Sequence, residues 1–302
     1  MSAPPLAAHR GLHPGGPAPT TTWLWLFAQA RDRLGSATEA RWIIEEAAGA
    51  PWPGLLDDPP LARAARRAEV MVERRGAGEP LQYVLGRWGF RGLDLVVDPR
   101  VLIPRPETEQ VVEVALGELD RVGRRVRHPV VVDLGTGSGA IALSVAAERP
   151  AAEVWATDAS AAALEVAGAN LAGLASTRVR LALGSWWSAL PPELGSRVDL
   201  AISNPPYVSS GEMSSLDPVI AGWEPHQALE AGRSGLEAIG LVIDGARSWL
   251  APGGALVVEI APHQAPAARR MASDAGFGTV EVRDDLAGRS RALVARSAGD
   301  GR

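Results

Sequence analysis

Val130 to Ala146 reads VVVDLGTGSGAIALSVA: an apolar strand, a tight glycine turn and the start of a helix. Gly135, Gly137 and Gly139 let the backbone approach a ligand closely and take φ values that other residues avoid. Thr136 and Ser138 fill the turn between them. The next strand ends VWATDAS and places Asp158 at its carboxyl end. An acid there can accept hydrogen bonds from both hydroxyls of a ribose. The pair of features points to a cofactor that carries adenosine. Gly135, Gly137 and Ala140 also satisfy the G-x-G-x-x-A form of a dinucleotide site. Asp133, two residues before the first glycine, separates the two readings. A pyrophosphate beside a carboxylate needs compensating charge, whereas an ammonium and a positive sulfur are matched by it. The residues therefore favour S-adenosylmethionine over a dinucleotide.

Working outward, further short apolar runs alternate with helical stretches: EVWATD, VRLALG, VDLAISN, ALVVEI, TVEVRD and RALVAR. Runs without a period of two are the mark of strands buried on both faces of a parallel sheet. The fold class expected is α/β, a doubly wound Rossmann-like domain over residues 111–302, of the kind used by class I methyltransferases. Upstream, TWLWLFAQARDRLG, ATEARWIIEEAAG and PPLARAARRAEVMVERRGAG have helical spacing and end at glycine. They predict a small helical bundle over 21–86, with a weak cap at Thr38 for the second helix. WGFRGLDLVVDPRVLI predicts a β-hairpin, with turns at Gly92 and Asp98-Pro99, inside a linker over 87–110. A helix follows with Pro106 near its start and Glu107 and Glu109 in its first turn. Residues 1–20, rich in Pro, Gly and Ala, read as a disordered tail.

Asn204, Pro205, Pro206 and Tyr207 directly follow the fourth core strand, at the edge where open α/β sheets bind ligands. The chemistry suits a planar nitrogen that bears N–H groups. The Asn204 side-chain oxygen can accept one N–H and the Pro205 carbonyl the other. The prolines stiffen the loop and carry no N–H of their own. Tyr207 offers an aromatic face. Positive charge that builds on the nitrogen during methyl transfer would bind these oxygens more tightly.

Composition bounds the alternatives. The chain has 302 residues, a net charge of −5, 46% hydrophobic and 22% charged residues, and no cysteine. Thiol catalysis, disulfide frameworks and Cys-ligated metals are excluded. No apolar run is long enough for a membrane span, and the first residues lack the apolar core of a signal peptide. The acidic balance argues against a nucleic-acid coat. The five histidines lack metal-ligand spacing; His226 and His263 read as loop-stabilising. Arg63, Arg66, Arg67, Arg74 and Arg75 read as a solvated face, with docking of an acidic or RNA-like partner as the alternative. Glu224-Pro225 reads as a loop over the acceptor pocket.

Taken together, GEPLQYVLGRWGF, LVVDPRVLIPRPETE, VVDLGTGSGAIALS, NPPYV, EPHQALEAGRSGLEAI and LAPGGALVVEIAPHQ resemble the release factor glutamine N5-methyltransferase (PrmC/HemK) family. The likeness runs from about Thr22 to Ala295. IPRPETE is its most specific part, since the glycine turn and the Asn-Pro-Pro-Tyr loop also occur in adenine N6-methyltransferases acting on nucleic acid, the alternative reading. The resemblance implies a methyl transfer to the glutamine of the Gly-Gly-Gln motif in peptide chain release factors. It implies S-adenosylmethionine held by Gly135 to Gly139, Asp158 and Trp186, with Trp186 on the adenine. It implies a grip on the substrate protein by the N-terminal bundle; the histidine spacing and the acidic balance lead to the expectation of no metal and no nucleic-acid substrate. The enzyme is expected to be a cytoplasmic monomer. Two positions depart from the family pattern: Ser185 stands where an acid is usual, and Ala261 where glycine is usual.

Overall fold

The computed structural model describes residues 21–55, 59–123, 126–174 and 178–299. The tail expected over 1–20 lies outside the described residues. The chain divides into two compact units with the boundary between Ala77 and Gly78.

The first unit holds α1 (Trp23–Leu34), α2 (Ala37–Ala48) and α3 (Ala62–Gly76). Thr22 caps α1 by accepting from the Trp25 amide, and Gly35 closes it in the left-handed conformation. α2 begins earlier than Thr38 suggests. Ser36 is its cap and accepts from the Glu39 amide at 3.2 Å. The four residues Ser-Ala-Thr-Glu have capping-box spacing, which leaves Thr38 inside the first turn. Leu26, Ala30, Ile43, Ile44 and Met71 are buried. On α3, Arg67 pairs with Glu46 at 2.6 Å, and Arg75 holds both oxygens of Glu39 at 2.7 and 3.0 Å. Part of the arginine cluster is thus neutralised by the neighbouring helix.

The second unit opens with α4 (Leu81–Leu85) and the hairpin of β1 (Arg87–Phe90) and β2 (Leu93–Val96). Its two-residue turn is Arg91-Gly92, both at positive φ, +44° and +77°. Such turns match the twist of antiparallel strands. Then follow α5 (Pro106–Gly123), β3 (Val130–Leu134), α6 (Ala140–Glu148), β4 (Glu153–Asp158), α7 (Ala161–Leu174), β5 (Val179–Leu183) and β6 (Val198–Ser203). The last part is α8 (Pro218–Trp223), α9 (Glu237–Trp249), β7 (Leu250–Glu259), α10 (Ala265–Asp274), β8 (Thr279–Asp284) and β9 (Ser290–Arg296).

The seven strands pair in the order β5-β4-β3-β6-β7-β9-β8. The sheet is mixed, not wholly parallel as the apolar runs suggested: β9 runs against both neighbours. Only five residues, 285–289, join β8 to β9. That length closes a hairpin, whereas a parallel return needs a dozen residues or more. The two faces of the sheet each carry a core. Val131 faces Val112, Leu116 and Ile141 on α5 and α6, while Val132 and Leu134 face Ile239, Ile243 and Ala268 on α9 and α10. All of β3 and β6 is buried. Strand order reverses between them, so their carboxyl ends open the crevice where this class of fold takes its ligand.

Candidate active site

At that crevice, Gly135, Thr136, Gly137, Ser138, Asp158, Ser185, Trp186, Asn204 and Pro206 border a single cleft. Asp133, Gly139, Pro205 and Tyr207 do not border it. Asp133 is fully buried. One of its oxygens accepts from the Thr136 hydroxyl at 2.6 Å and the Ala142 amide at 3.1 Å. It therefore ties the turn to the first turn of α6. Its other oxygen has no partner among the described residues. Burial pushes the Asp133 carboxyl up to about 7, against the pull of the Thr136 and Ala142 hydrogen bonds. Asp158 accepts from the Gly137 amide at 2.9 Å and from the Ser160 amide at 2.8 Å. Each of these oxygens keeps lone pairs for a further donor.

Trp186 has φ +48°, a conformation that costs a bulky residue energy and recurs at ligand sites. It brings the indole over the glycine turn: a Cβ on Gly135 would lie 3.5 Å from the ring. Gly135 itself has φ +77°, so its conformation selects glycine; a Cβ there would meet the indole at ordinary van der Waals distance. The adjoining Trp187 is buried and donates from Nε1 to the Val242 carbonyl at 3.0 Å. A Cβ on Gly245 of α9 would stand 2.1 Å from Trp187 Cδ1. Gly245→Ala is expected to cost about 1–3 kcal/mol through overpacking, and to weaken ligand binding by shifting Trp186. Denaturant midpoints and calorimetric titration check both parts. An unchanged midpoint would show that the indole yields freely.

The Asn-Pro-Pro-Tyr loop leaves β6 at Asn204. Asn204 Nδ2 donates to Thr108 Oγ1 at 3.2 Å, and the Thr108 hydroxyl donates to Glu259 Oε2 at 2.7 Å. Thr108 lies in the first turn of α5 and Glu259 ends β7; both are buried. Burial pushes the Glu259 carboxyl up to about 7; the Thr108 hydrogen bond and the charge of Arg291 oppose that rise. Tyr207 is half-buried, and burial pushes its phenol up to about 12. Its carbonyl accepts from Gln264 Nε2, which also donates to the Gly235 carbonyl, both at 2.9 Å. Val208 bridges to Glu230, with backbone bonds to Leu229 and Ala231. Residues 209–229 therefore form an excursion closed at its base.

Glu224 returns that excursion to the cleft. Its carboxylate is 1% exposed and takes the Arg105 guanidinium and the Ile103 amide, the latter at 3.1 Å. Pro225, Gln227 and Ala228, just beyond it, border the cleft. His226 Nε2 lies 3.2 Å from the Ala221 carbonyl, a contact within the loop. Glu109 takes the Arg91 amide at 3.1 Å and Glu107 faces Arg289 at 3.6 Å; neither borders the cleft. Ala261 has φ −71°, so no glycine is needed there. Sequence reasoning assigned no role to Arg105, Thr108 or Glu259. The signal was present in IPRPETE, but the partners lie about a hundred residues or more away. Among the described residues no cluster of three His, Asp or Glu could hold a metal, and no helix is long and apolar enough to cross a membrane.

Two family models match the chain: a PrmC N-terminal domain over residues 26–86 and a methyltransferase small domain over 118–220. The chain is 41% identical to the release factor glutamine methyltransferase of Burkholderia pseudomallei, over 94% of this chain and 98% of that protein. It is 44% identical to the protein of the same name from Xylella fastidiosa, over 82% and 88%. Among solved structures, a methyltransferase from Pyrococcus furiosus shares the fold with a TM-score of 0.50 and 20% identity, over 77% of this chain and 98% of that one.

Proposed function

Because the chain belongs to the release factor glutamine methyltransferase family, we propose that it methylates the side-chain nitrogen of the glutamine in the Gly-Gly-Gln motif of peptide chain release factors. It is an S-adenosylmethionine-dependent methyltransferase. One observation carries the assignment of the site: Asn204 and Pro206 of the acceptor loop border the same cleft as Gly135, Asp158 and Trp186.

The cleft fits the cofactor. Gly135 and Gly137 bring backbone close to the ligand, Asp158 offers acceptors for ribose hydroxyls, and the Trp186 indole offers a flat wall for adenine. Ser185 borders the cleft with a neutral hydroxyl where the family has an acid. The bound cofactor supplies a methyl group on a positive sulfur. The protein's part is to position the amide nitrogen and to bind the charge that grows on it. Asn204 Oδ1 accepts one N–H of the glutamine at the cleft wall; the Pro205 carbonyl is the second acceptor, which the substrate amide reaches by entering past Asn204 and Pro206, since Pro205 itself does not border the cleft. Both bonds strengthen as the nitrogen becomes cationic, so they lower the barrier instead of merely binding the substrate. Tyr207 packs against the core on this face of the sheet and its carbonyl accepts from Gln264, which holds the loop in register; the aromatic face expected to meet the acceptor does not border the cleft. The N–H acidity rises with methylation, so the proton can leave afterwards to water and no strong base is required. The bundle over 21–86 grips the substrate protein, and the enzyme works as a cytoplasmic monomer.

The test is to incubate the purified chain with a release factor and labelled S-adenosylmethionine and to map the label by peptide mass spectrometry. Label on the glutamine of Gly-Gly-Gln is expected. Bound cofactor with an unlabelled glutamine, or label on duplex DNA instead, would overturn the assignment.

A further inference from the structure

We propose that Thr108 and Glu259 are positioning residues that hold the Asn204 amide with its oxygen toward the methyl acceptor, and that protonation of Glu259 inverts this orientation. The inference rests on the reading of Asn204 as the acceptor of the glutamine N–H.

An Asn side chain is nearly symmetric in shape, so only its hydrogen-bond partners decide which end faces a ligand. Among the described residues Asn204 has one such partner, Thr108 Oγ1 at 3.2 Å. A threonine hydroxyl has a single proton. While that proton is given to Glu259 Oε2 at 2.7 Å, Oγ1 can only accept from Asn204. Acceptance selects Nδ2 and leaves Oδ1 for the substrate. A protonated Glu259 reverses the sequence of donors: its own O–H donates to Thr108 Oγ1, and the freed Thr108 proton turns toward Asn204. Oδ1 then becomes the end that faces Thr108, and the NH2 group faces an incoming N–H. Two donors cannot bind each other, so the acceptor site closes.

The groups around Glu259 make its charge adjustable. Thr108 and Glu107 approach it from α5, Arg105 from the loop before α5, Arg291 from β9 and Tyr207 from the acceptor loop. The two arginines favour the carboxylate, whereas Glu107 and burial favour the acid. Glu259 is 1% exposed, and Thr108, although it borders the cleft, only 3%, so the hydroxyl proton is held by the buried carboxylate.

The experiment is steady-state methylation of release factor from pH 6 to 9 at saturating cofactor, with cofactor affinity measured separately by calorimetry. Thr108→Val keeps the shape but removes the hydroxyl. It is expected to lower kcat by on the order of tenfold to a hundredfold, with cofactor affinity within about twofold of the parent. Thr108→Ser restores the hydroxyl and is expected to recover most of kcat. Glu259→Gln cannot ionise, so the ratio of its kcat to that of the parent is expected to rise as pH falls through about 7. Any other titrating group, Asp133 included, acts on both proteins and cancels in the ratio. A flat ratio overturns the protonation step. If Glu259→Gln fails to fold, the Thr108 pair decides the positioning role. Equal kcat for Thr108→Val and the parent, with Asn204→Ala inactive, overturns the positioning role and leaves the acceptor reading intact. Full activity in both Thr108→Val and Asn204→Ala overturns the acceptor reading itself.

Discussion

Asn204→Ala is expected to lower kcat by about 10²–10³-fold while S-adenosylmethionine binds as tightly as to the parent. The asymmetry follows from where the charge develops. On the proposed reading, Asn204 would face a neutral amide before the reaction and a cationic nitrogen during it, so its oxygen would contribute most in the transition state. The change also frees Thr108 Oγ1 of its donor at 3.2 Å. That adds a small stability cost of about 0.5–1.5 kcal/mol. The end of the cleft proposed to hold the cofactor, bordered by Gly135, Asp158 and Trp186, would keep its contacts. Single-turnover rates with pre-bound cofactor separate the two effects. A variant with normal kcat and a raised KM would show that Asn204 only binds.

The second large effect is on stability. Arg105→Met is expected to destabilise the second unit by on the order of 3 kcal/mol, measured as a lowered urea midpoint. The Glu224 carboxylate is 1% exposed and has the Arg105 guanidinium as its ionic partner. Without that partner it would be a buried charge held by the Ile103 amide. The figure sits at the low end for a broken buried pair because the Arg105 side chain is 29% exposed and partly screened. Arg105→Met combined with Glu224→Leu removes both charges and is expected to recover part of the loss. KM for the substrate protein should rise in the single variant, since Pro225, Gln227 and Ala228 follow Glu224 into the cleft. Equal midpoints for Arg105→Met and the parent would show that the pair contributes nothing.

These two expectations draw on information of different reach in the sequence. The glycine turn, Asp158 and the Asn-Pro-Pro-Tyr loop are local: each strand end and the turn after it lie within a few residues, and the strand pattern fixes their common edge. The reversal of β9 was hidden, because an apolar run has the same appearance in either direction. The clue was the five-residue connection, a matter of length and not of composition. The same holds for α2, where Ser36 and Thr38 are both competent caps and only the helix phase chooses between them. The bonds from Asn204 to Thr108, from Thr108 to Glu259 and from Arg105 to Glu224 span 96, 151 and 119 residues. No spacing rule reaches that far. Such contacts exist only once the sheet has brought the ends of β6 and β7 beside the start of α5.

The bridge between Val208 and Glu230, with Gln264 tying Tyr207 to Gly235, has a further consequence. Insertions or deletions between Ser209 and Gly222 would be absorbed above this seam, because lengthening a closed loop costs little entropy. The reactive centre below would keep its dimensions. Such a design would let lineages remodel the outer rim without retuning the alkylation step, so the rim is where differences between such enzymes should accumulate.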